Sequence, residues 1–196
     1  MRTLLFSLAA SLMVPSVAAA ADWQLDAAHS QVGFRVRHMM VTYVEGTFTD
    51  VEATLDYEVG KLDALKTTVT VDIASVDTSN DKRDDHLRTS DFLDVANHPT
   101  MTFASTGVKA LGDDRFELRG DLTLRGVTQP ITLTARGLDS AVRDPWGNLR
   151  VGASATGTID RQAFGVSWNQ ALEAGGLAVS DEVELRIDAV FTRAAE

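Results

Sequence analysis

The chain has 196 residues with no cysteine, and its 28 acidic side chains outnumber its 18 lysines and arginines, for a formal net charge of −10. The missing thiols exclude disulfides, a cysteine nucleophile and any thiolate metal site. Because the net charge repels phosphate backbones, nucleic acid is not expected as a partner.

The N-terminal segment has the pattern of a secretory signal peptide. Met1-Arg2 is a short positive start, LLFSLAASLMVPSV is an apolar run of the right length, and AAAAD offers small residues for cleavage. We therefore expect a signal peptide over residues 1–21, one mature domain over residues 22–196 and a periplasmic location. No later stretch approaches the roughly 20 apolar residues that a spanning helix needs.

Apolar and polar residues alternate strictly after residue 30. The pattern covers residues 32–37, 51–59 and 65–73. It returns in MTFAS, RFELRGDLTLRG, ITLTARGL, NLRVGASATGTI and DEVELRIDAVF, between turn signals such as LGDD, RGVTQP and DPWGN. About eight such strands in one domain predict an all-β fold, either an antiparallel barrel or a sandwich. Alternation alone does not tell which face points inward.

One charged stretch, NDKRDDHLRTSDFLDVANHPTMTF, interrupts the alternation. Ser79 or Asn80 can cap a short helix whose first turn is acidic, as the helix dipole favours. We expect one or two helical turns that cover an end of the barrel. In this arrangement Leu87, Phe92 and Leu93 face the interior and the charges face water.

Four histidines are the candidate metal ligands. His29, His38, His86 and His98 are scattered, no two are four residues apart, and none forms an H-E-x-x-H or H-x-H motif. No metal site is therefore expected. The alternative that remains open is a metal-assisted enzyme, acting through His86 and nearby aspartates on a lipid or a small envelope substrate.

Other catalytic motifs are weak. The sequence GVSWN around Ser167 lacks the closing glycine of a G-x-S-x-G elbow, and no glycine-rich phosphate loop is present. We therefore expect a protein that is not an enzyme. The apolar face of its strands either fills the core or encloses one small ligand, since an eight-stranded barrel has the size at which both occur.

Several segments, taken together, resemble the YceI-like family of exported, lipocalin-like proteins that bind polyisoprenoids. They are WQLDAAHSQVGFRVRH, VEGTFTDVEATL, RDDHLRTSDFLDVANHPTMTF, GDLTLRGVTQPITL, IDRQAFGVSWN and VSDEVELRIDAVF. The resemblance spans nearly the whole mature chain. It implies an eight-stranded antiparallel lipocalin-like barrel with short helical inserts and a long apolar tunnel. It also implies amphiphilic long-chain ligands, such as prenyl quinones, polyprenyl phosphates or fatty amides, and no catalytic residues.

We accordingly predict a carrier that sequesters or transports a polyisoprenoid or prenyl-quinone lipid, with no other cofactor, with transient membrane contact and with a homodimer as a candidate state. A filled barrel that serves as an interaction module is a further alternative. Candidate head-group contacts are His38, Arg88 and Asn169. The predicted tunnel wall consists of Phe34, Val36, Met40, Phe48, Leu55, Leu87, Phe92, Leu93, Phe103, Phe116, Leu122, Leu124, Phe164, Trp168, Leu185 and Ile187.

Overall fold

The computed structural model describes residues 22–173 and 175–194, and the predicted signal peptide lies outside them. The strands in this part are β1 (Asp22–Leu25), β2 (Gln31–His38), β3 (Thr42–Phe48), β4 (Val51–Asp56), β5 (Lys66–Asp72), β6 (Val76–Asp77), β7 (Thr100–Gly112), β8 (Arg115–Leu124), β9 (Val127–Gly137), β10 (Val142–Arg143), β11 (Leu149–Asp160) and β12 (Val179–Arg193). The α-helix is α1 (Asp81–Arg88), and 3₁₀ turns cover Ala27–His29, Leu62–Ala64, Ile73–Ser75 and Arg161–Phe164.

The strands close into an antiparallel barrel with eight positions. Both β1 and β2 pair with β12, β4 pairs with β1, and β3 pairs with β2. Since β5 pairs with β4 and β6 pairs with β3, three positions around the barrel are each filled by two consecutive strands. The other five positions are β7, β8, β9, β11 and β12, and pairing of β11 with β12 completes the ring. The predicted eight-stranded barrel is confirmed.

The apolar face of the alternating strands points inward. In β8, for example, Phe116, Leu122 and Leu124 are buried, while Arg119 and Asp121 between them are exposed. We call the end where β2 ends and β12 begins the open end, and the opposite end the closed end. Among the described residues, no helix is long and apolar enough to cross a bilayer.

The charged stretch forms the predicted helix and caps it with Asn80. The Asn80 side-chain oxygen accepts a hydrogen bond from the backbone N–H of Arg83 at 3.0 Å, and α1 ends at Arg88. Residues 80–99, which we call the insert, then lead to β7. The Arg125 guanidinium, at the turn between β8 and β9, donates to the carbonyl of Ser90 at 2.9 Å. The insert is thereby held across the open end.

Candidate functional site

The barrel encloses an apolar cavity of about 440 Å³. Its lining on β12 extends from Val179 at the open end to Phe191 at the closed end. At about 3.3 Å per residue and a typical strand tilt of about 40°, that span is roughly 30 Å along the barrel axis. The volume lies within the range of about 300–1,000 Å³ that is usual for small-molecule pockets. The site is thus long and narrow.

Two glycines explain why large rings leave this space open. A Cβ atom at Gly120 would lie 2.2 Å from the Phe103 ring, and one at Gly46 would lie 2.5 Å from the Phe34 ring. Both rings therefore occupy the space beside a glycine of the neighbouring strand that a Cβ atom would fill. With any side chain at these two positions, the two rings would have to shift from their present places.

The closed end is sealed by two large aromatic side chains. Trp23 is fully buried, and its indole N–H donates to the carbonyl of Tyr57 at 2.9 Å. The Tyr57 hydroxyl in turn donates to the carbonyl of Leu138 at 2.6 Å. Because the polar atoms of both rings have partners, burying them carries no unpaired hydrogen-bonding group. Both rings are therefore buried at this end of the barrel without losing hydrogen bonds.

The open end, by contrast, has partly exposed apolar walls. Val44, Trp168 and Val179 line the cavity there and are only half-buried. His86 lies at the same rim with 44% of its side chain exposed, and its ring meets those of Phe92 and Trp168 edge-on at centroid distances of 5.0 and 5.3 Å. The cavity therefore opens between the insert, the end of β2 and the start of β12.

Most of the predicted tunnel residues lie on the cavity wall. Their contact with a lipid stays a prediction. Those on the wall are Phe34, Val36, Phe48, Leu55, Leu87, Phe92, Leu93, Phe103, Phe116, Leu122, Leu124, Trp168, Leu185 and Ile187, and His38 joins them at the rim.

Two of the predicted wall residues lie elsewhere. Met40 is in the turn between β2 and β3, with φ of +59° and 37% of its surface exposed, because the alternation of β2 ends before it. Phe164 is 2% exposed but packs in the core beside the cavity, since the 3₁₀ turn after β11 turns it away from the wall.

Two predicted head-group contacts also lie outside the cavity lining. Arg88 donates through Nε and Nη2 to the carbonyls of Ala74 and Val76, each at 2.9 Å, and so ties α1 to β6. The Asn169 amide donates to the carbonyl of Val179 at 2.7 Å and accepts from its N–H at 3.1 Å. These side chains hold backbone in place.

The cavity also contains residues that the sequence prediction missed. Val69, Val71, Leu133 and Val183 lie on the wall, and continued alternation within their strands could have identified them. Arg83 and Arg161 line it as well. A charged residue at an apolar wall has no such signal in the sequence, because its neighbours come from distant segments.

Arg161 is buried and binds several backbone carbonyls. Arg161 is 4% exposed in the folded chain, and burial lowers the pKa of its guanidinium, an effect that Asp181 and Asp160 partly offset. All five N–H groups have acceptors, which are the carbonyls of Val166, Trp168, Val179 and Ser180 and the carboxylate of Asp181. Arg161 therefore fixes the connection from β11 to β12 and has no donor left for a ligand.

The histidines do not assemble into a metal centre in the part of the chain that the structure describes. In residues 22–173 and 175–194, no three His, Asp or Glu side chains are arranged to hold a metal ion. His86 and Asp91 pair at 2.9 Å, and His29 pairs with Asp26 at the same distance.

Known proteins share both this sequence and this fold. The YceI-like domain family matches residues 23–191. The chain belongs to the YceI-like family. Protein YceI of Escherichia coli is 43% identical to it over 160 residues, which cover 80% of this chain and 83% of that protein. The sequence resemblance is confirmed.

The barrel is also similar to solved structures of other proteins. The crystal structure of the Campylobacter jejuni YCEI protein superposes with a TM-score of 0.70 at 30% identity, covering 87% of this chain and 97% of the other. A polyisoprenoid binding domain from Saccharophagus degradans superposes with a TM-score of 0.60 at 16% identity, covering 86% and 97% of the two chains. At that identity, the second likeness shows the fold alone.

Proposed function

We propose that this YceI-like protein is a periplasmic carrier that holds a long-chain isoprenoid-type lipid in the barrel and exchanges it with membranes. The observation that carries the proposal is the long apolar cavity, which is sealed at one end and open at the other. A domain of the same fold from S. degradans is a polyisoprenoid binding domain, which supports the same ligand class here.

The energetics favour long chains. Burial of one methylene contributes about 0.8 kcal/mol, whereas association costs an estimated 4–15 kcal/mol. A ligand of a few carbons would therefore not be retained, and a chain that fills a cavity of roughly 30 Å would be. A bilayer stabilises each methylene by about the same ~0.8 kcal/mol, so transfer between protein and membrane is nearly balanced per carbon. This balance suits a carrier better than a permanent store.

The open end carries an apolar tip that we propose as the membrane contact. Met39, Met40 and Val41 join β2 to β3 and are 45%, 37% and 83% exposed. The Met39 N–H donates to the carbonyl of Ala178 at 2.7 Å, which joins this tip to the loop carrying the exposed Leu177. His38, directly before the tip, lines the cavity. Exposed apolar side chains beside the mouth of the cavity fit a bilayer surface, and the net charge of −10 favours a hydrophobic contact over an electrostatic one.

Native extraction tests the carrier proposal. The protein is purified from the periplasm of its own organism without detergent, extracted with organic solvent and analysed by mass spectrometry. We expect a long-chain isoprenoid-type lipid at close to one molecule per protein. A refolded, delipidated sample is the control, which should take up the same lipid from vesicles. Protein that yields no lipid and takes up none would contradict the proposal.

The location and the assembly state are proposed separately. Fractionation should place the protein in the periplasm, and N-terminal sequencing should begin at Ala21 or Asp22 if residues 1–21 contain the signal peptide. The homodimer stays a prediction, which light scattering of the purified protein would test. The metal-assisted alternative predicts bound metal that is lost in His86→Ala, and elemental analysis of both proteins distinguishes it from the carrier.

A further inference from the structure

The charged side chains that line the cavity, among the described residues, are all positive. Although the chain has 28 acidic residues, none of those in the described residues lines the cavity, and its charged lining consists of Arg83 and Arg161, with His38 and His86 as further polar groups. All four belong to the part of the barrel near the open end, whereas the deep part, among the described residues, is lined by apolar side chains and by Thr67, whose hydroxyl donates to the carbonyl of Thr54 at 2.8 Å.

Unlike Arg161, Arg83 has side-chain N–H groups without an acceptor among the described residues. Its Nε donates to the Thr78 hydroxyl and its Nη2 to the Thr78 carbonyl, both at 2.7 Å. A guanidinium has five N–H groups, so three have no acceptor in the part of the chain that the structure describes. Arg83 also forms no direct ion pair there; its link to Asp84 runs through the Thr78 hydroxyl, which donates to the Asp84 carboxylate at 2.5 Å.

The position of α1 directs Arg83 to the cavity. Arg83, His86 and Leu87 are three and four residues apart, a spacing that places them on one face of the helix, and all three line the cavity. The two bonds to Thr78 fix the guanidinium, so a ligand would not have to order it. Leu87 continues the apolar wall below. An amphiphile whose chain fills the barrel therefore has its polar end at this helix.

We propose that Arg83 is the head-group residue of this cavity and that the ligand is an amphiphile with an anionic oxygen head group, a carboxylate or a phosphate. This rests on the proposed carrier function and narrows its ligand class. The three free N–H groups form charge-assisted hydrogen bonds with the anionic oxygens, and the chain extends toward Trp23. Neutral lipids of the same length bind through the chain alone.

Matched ligand pairs test this on the full-length mature protein. Palmitic acid is compared with hexadecanol, and geranylgeranyl monophosphate with geranylgeraniol, by displacement of a fluorescent probe from delipidated protein at pH 8. We expect the anionic member to bind about tenfold or more tightly in at least one pair, since hydrogen bonds to charged groups are the strong ones. In Arg83→Gln that preference should fall to about onefold, while affinity for the two alcohols stays within about twofold.

Lys82→Gln is the matched control. It removes a cation from the same helix, but Lys82 is exposed and lies outside the lining, so the preference for the anion should persist. Equal affinity for acid and alcohol in both pairs of the wild-type protein would overturn the inference and leave the carrier proposal standing. An equal loss of all four ligands in Arg83→Gln, or an unchanged preference there, would also overturn it. Failure of every ligand to bind the wild type would overturn both proposals.

Discussion

At the scale of single residues, the charged side chains of the insert mostly serve the backbone. Asp84 is 5% exposed and accepts hydrogen bonds from both the N–H and the hydroxyl of Thr78, while Arg88 ties the helix to β6. In the sequence, so many charged side chains close together suggest an active site. In the structure, their hydrogen bonds go to other groups of the same chain. Arg83 is the member of the group that keeps donors toward the cavity.

The first residue-scale prediction concerns the sealed end. Trp23→Ala should reduce the free energy of unfolding by about 3–5 kcal/mol, because it removes a fully buried indole and leaves a cavity and an unpaired carbonyl. Urea unfolding followed by circular dichroism measures it. Trp146→Ala is the control: that indole is 79% exposed, and its loss should change stability by less than about 0.5 kcal/mol. Equal effects of the two substitutions would contradict this account of the closed end.

The second residue-scale prediction concerns an ion cluster at the same end. A hydrogen bond from Arg150 is the main cause of the lowered pKa of Asp26. Burial would raise the pKa of Asp144, but hydrogen bonds from Arg150 at 3.0 Å and from the N–H of Asn148 outweigh it, so this pKa is also lowered. Carboxyls with a lowered folded-state pKa stabilise the fold above their ordinary value of about 3.9, and this contribution is lost as the pH falls through the folded-state values.

Arg150→Gln should therefore be less stable than the wild type at pH 7. The difference should begin to shrink below about pH 4, where the carboxyls of the unfolded chain become protonated, and should be lost as the pH falls through the lowered folded-state pKa values. Urea unfolding at pH 7 and pH 3 measures both. Arg136→Gln, which removes an exposed pair with Asp114 at 3.4 Å, is the control and should show little difference at either pH. A deficit of Arg150→Gln that is as large at pH 3 as at pH 7 would refute the role of the cluster.

At the scale of elements, the turn between β2 and β3 has a backbone conformation that its residues do not favour. Met39 and Met40 have φ of +50° and +59°, the left-handed region where asparagine and glycine are favoured. The turn is held by a hydrogen bond from the Val41 N–H to the His38 carbonyl and by Arg37, which donates to the Met40 carbonyl at 2.9 Å. Strained backbone with exposed apolar side chains is consistent with a tip selected for contact rather than for stability.

Replacing the tip, as Met39→Asn with Met40→Gly, should raise the free energy of unfolding by about 1 kcal/mol, since both new residues accept positive φ. The same variant should sediment less with phosphatidylcholine vesicles than the wild type, at low and high salt alike. A double variant at the closed end, Leu111→Asn with Val142→Ser, removes two exposed apolar side chains as well and should leave sedimentation unchanged. Wild-type sedimentation by the tip variant would show that membranes bind elsewhere.

At the scale of the whole molecule, the barrel combines a sealed end with an open one, so its depth limits the chain it can hold. Small side chains keep the deep part open: Ala135, Ala153 and Ala189 line the cavity there beside Phe191. A buried chain would end against these residues. Chain length is then a property of the tertiary structure and not of any one residue.

Ala189→Phe should shorten the chains that the protein retains, because the added ring occupies the deep part of the cavity and each excluded methylene forfeits about 0.8 kcal/mol. Mass spectrometry of extracted lipids gives the chain-length distribution. Ala104→Phe, on the exposed face of β7, adds the same ring outside the barrel and should leave the distribution unchanged. A folded Ala189→Phe protein with the wild-type distribution would contradict a depth-limited cavity.

The sequence predicted the inward-facing residues correctly where the alternation of a strand continues, and wrongly where the strand ends in a turn. Alternation correctly located Phe103, Phe116 and Leu122 on inward faces. The same rhythm, continued from β2, wrongly assigned Met40 to the wall, because a turn with positive φ follows His38. Arg161 was overlooked because its acceptors come from the connection between β11 and β12, which has no periodic signal.

The sequence by itself determined the all-β class, the inward and outward sets of each strand, and the capped helix of the insert, because these depend on neighbours within a few residues. Only the tertiary structure decided which end is sealed, that the barrel stays open inside, and which cation keeps free donors. These properties depend on contacts between distant segments, such as Trp23 with Tyr57 and Tyr57 with Leu138, which lie 34 and 81 residues apart. A local pattern contains no information about the partner across the barrel.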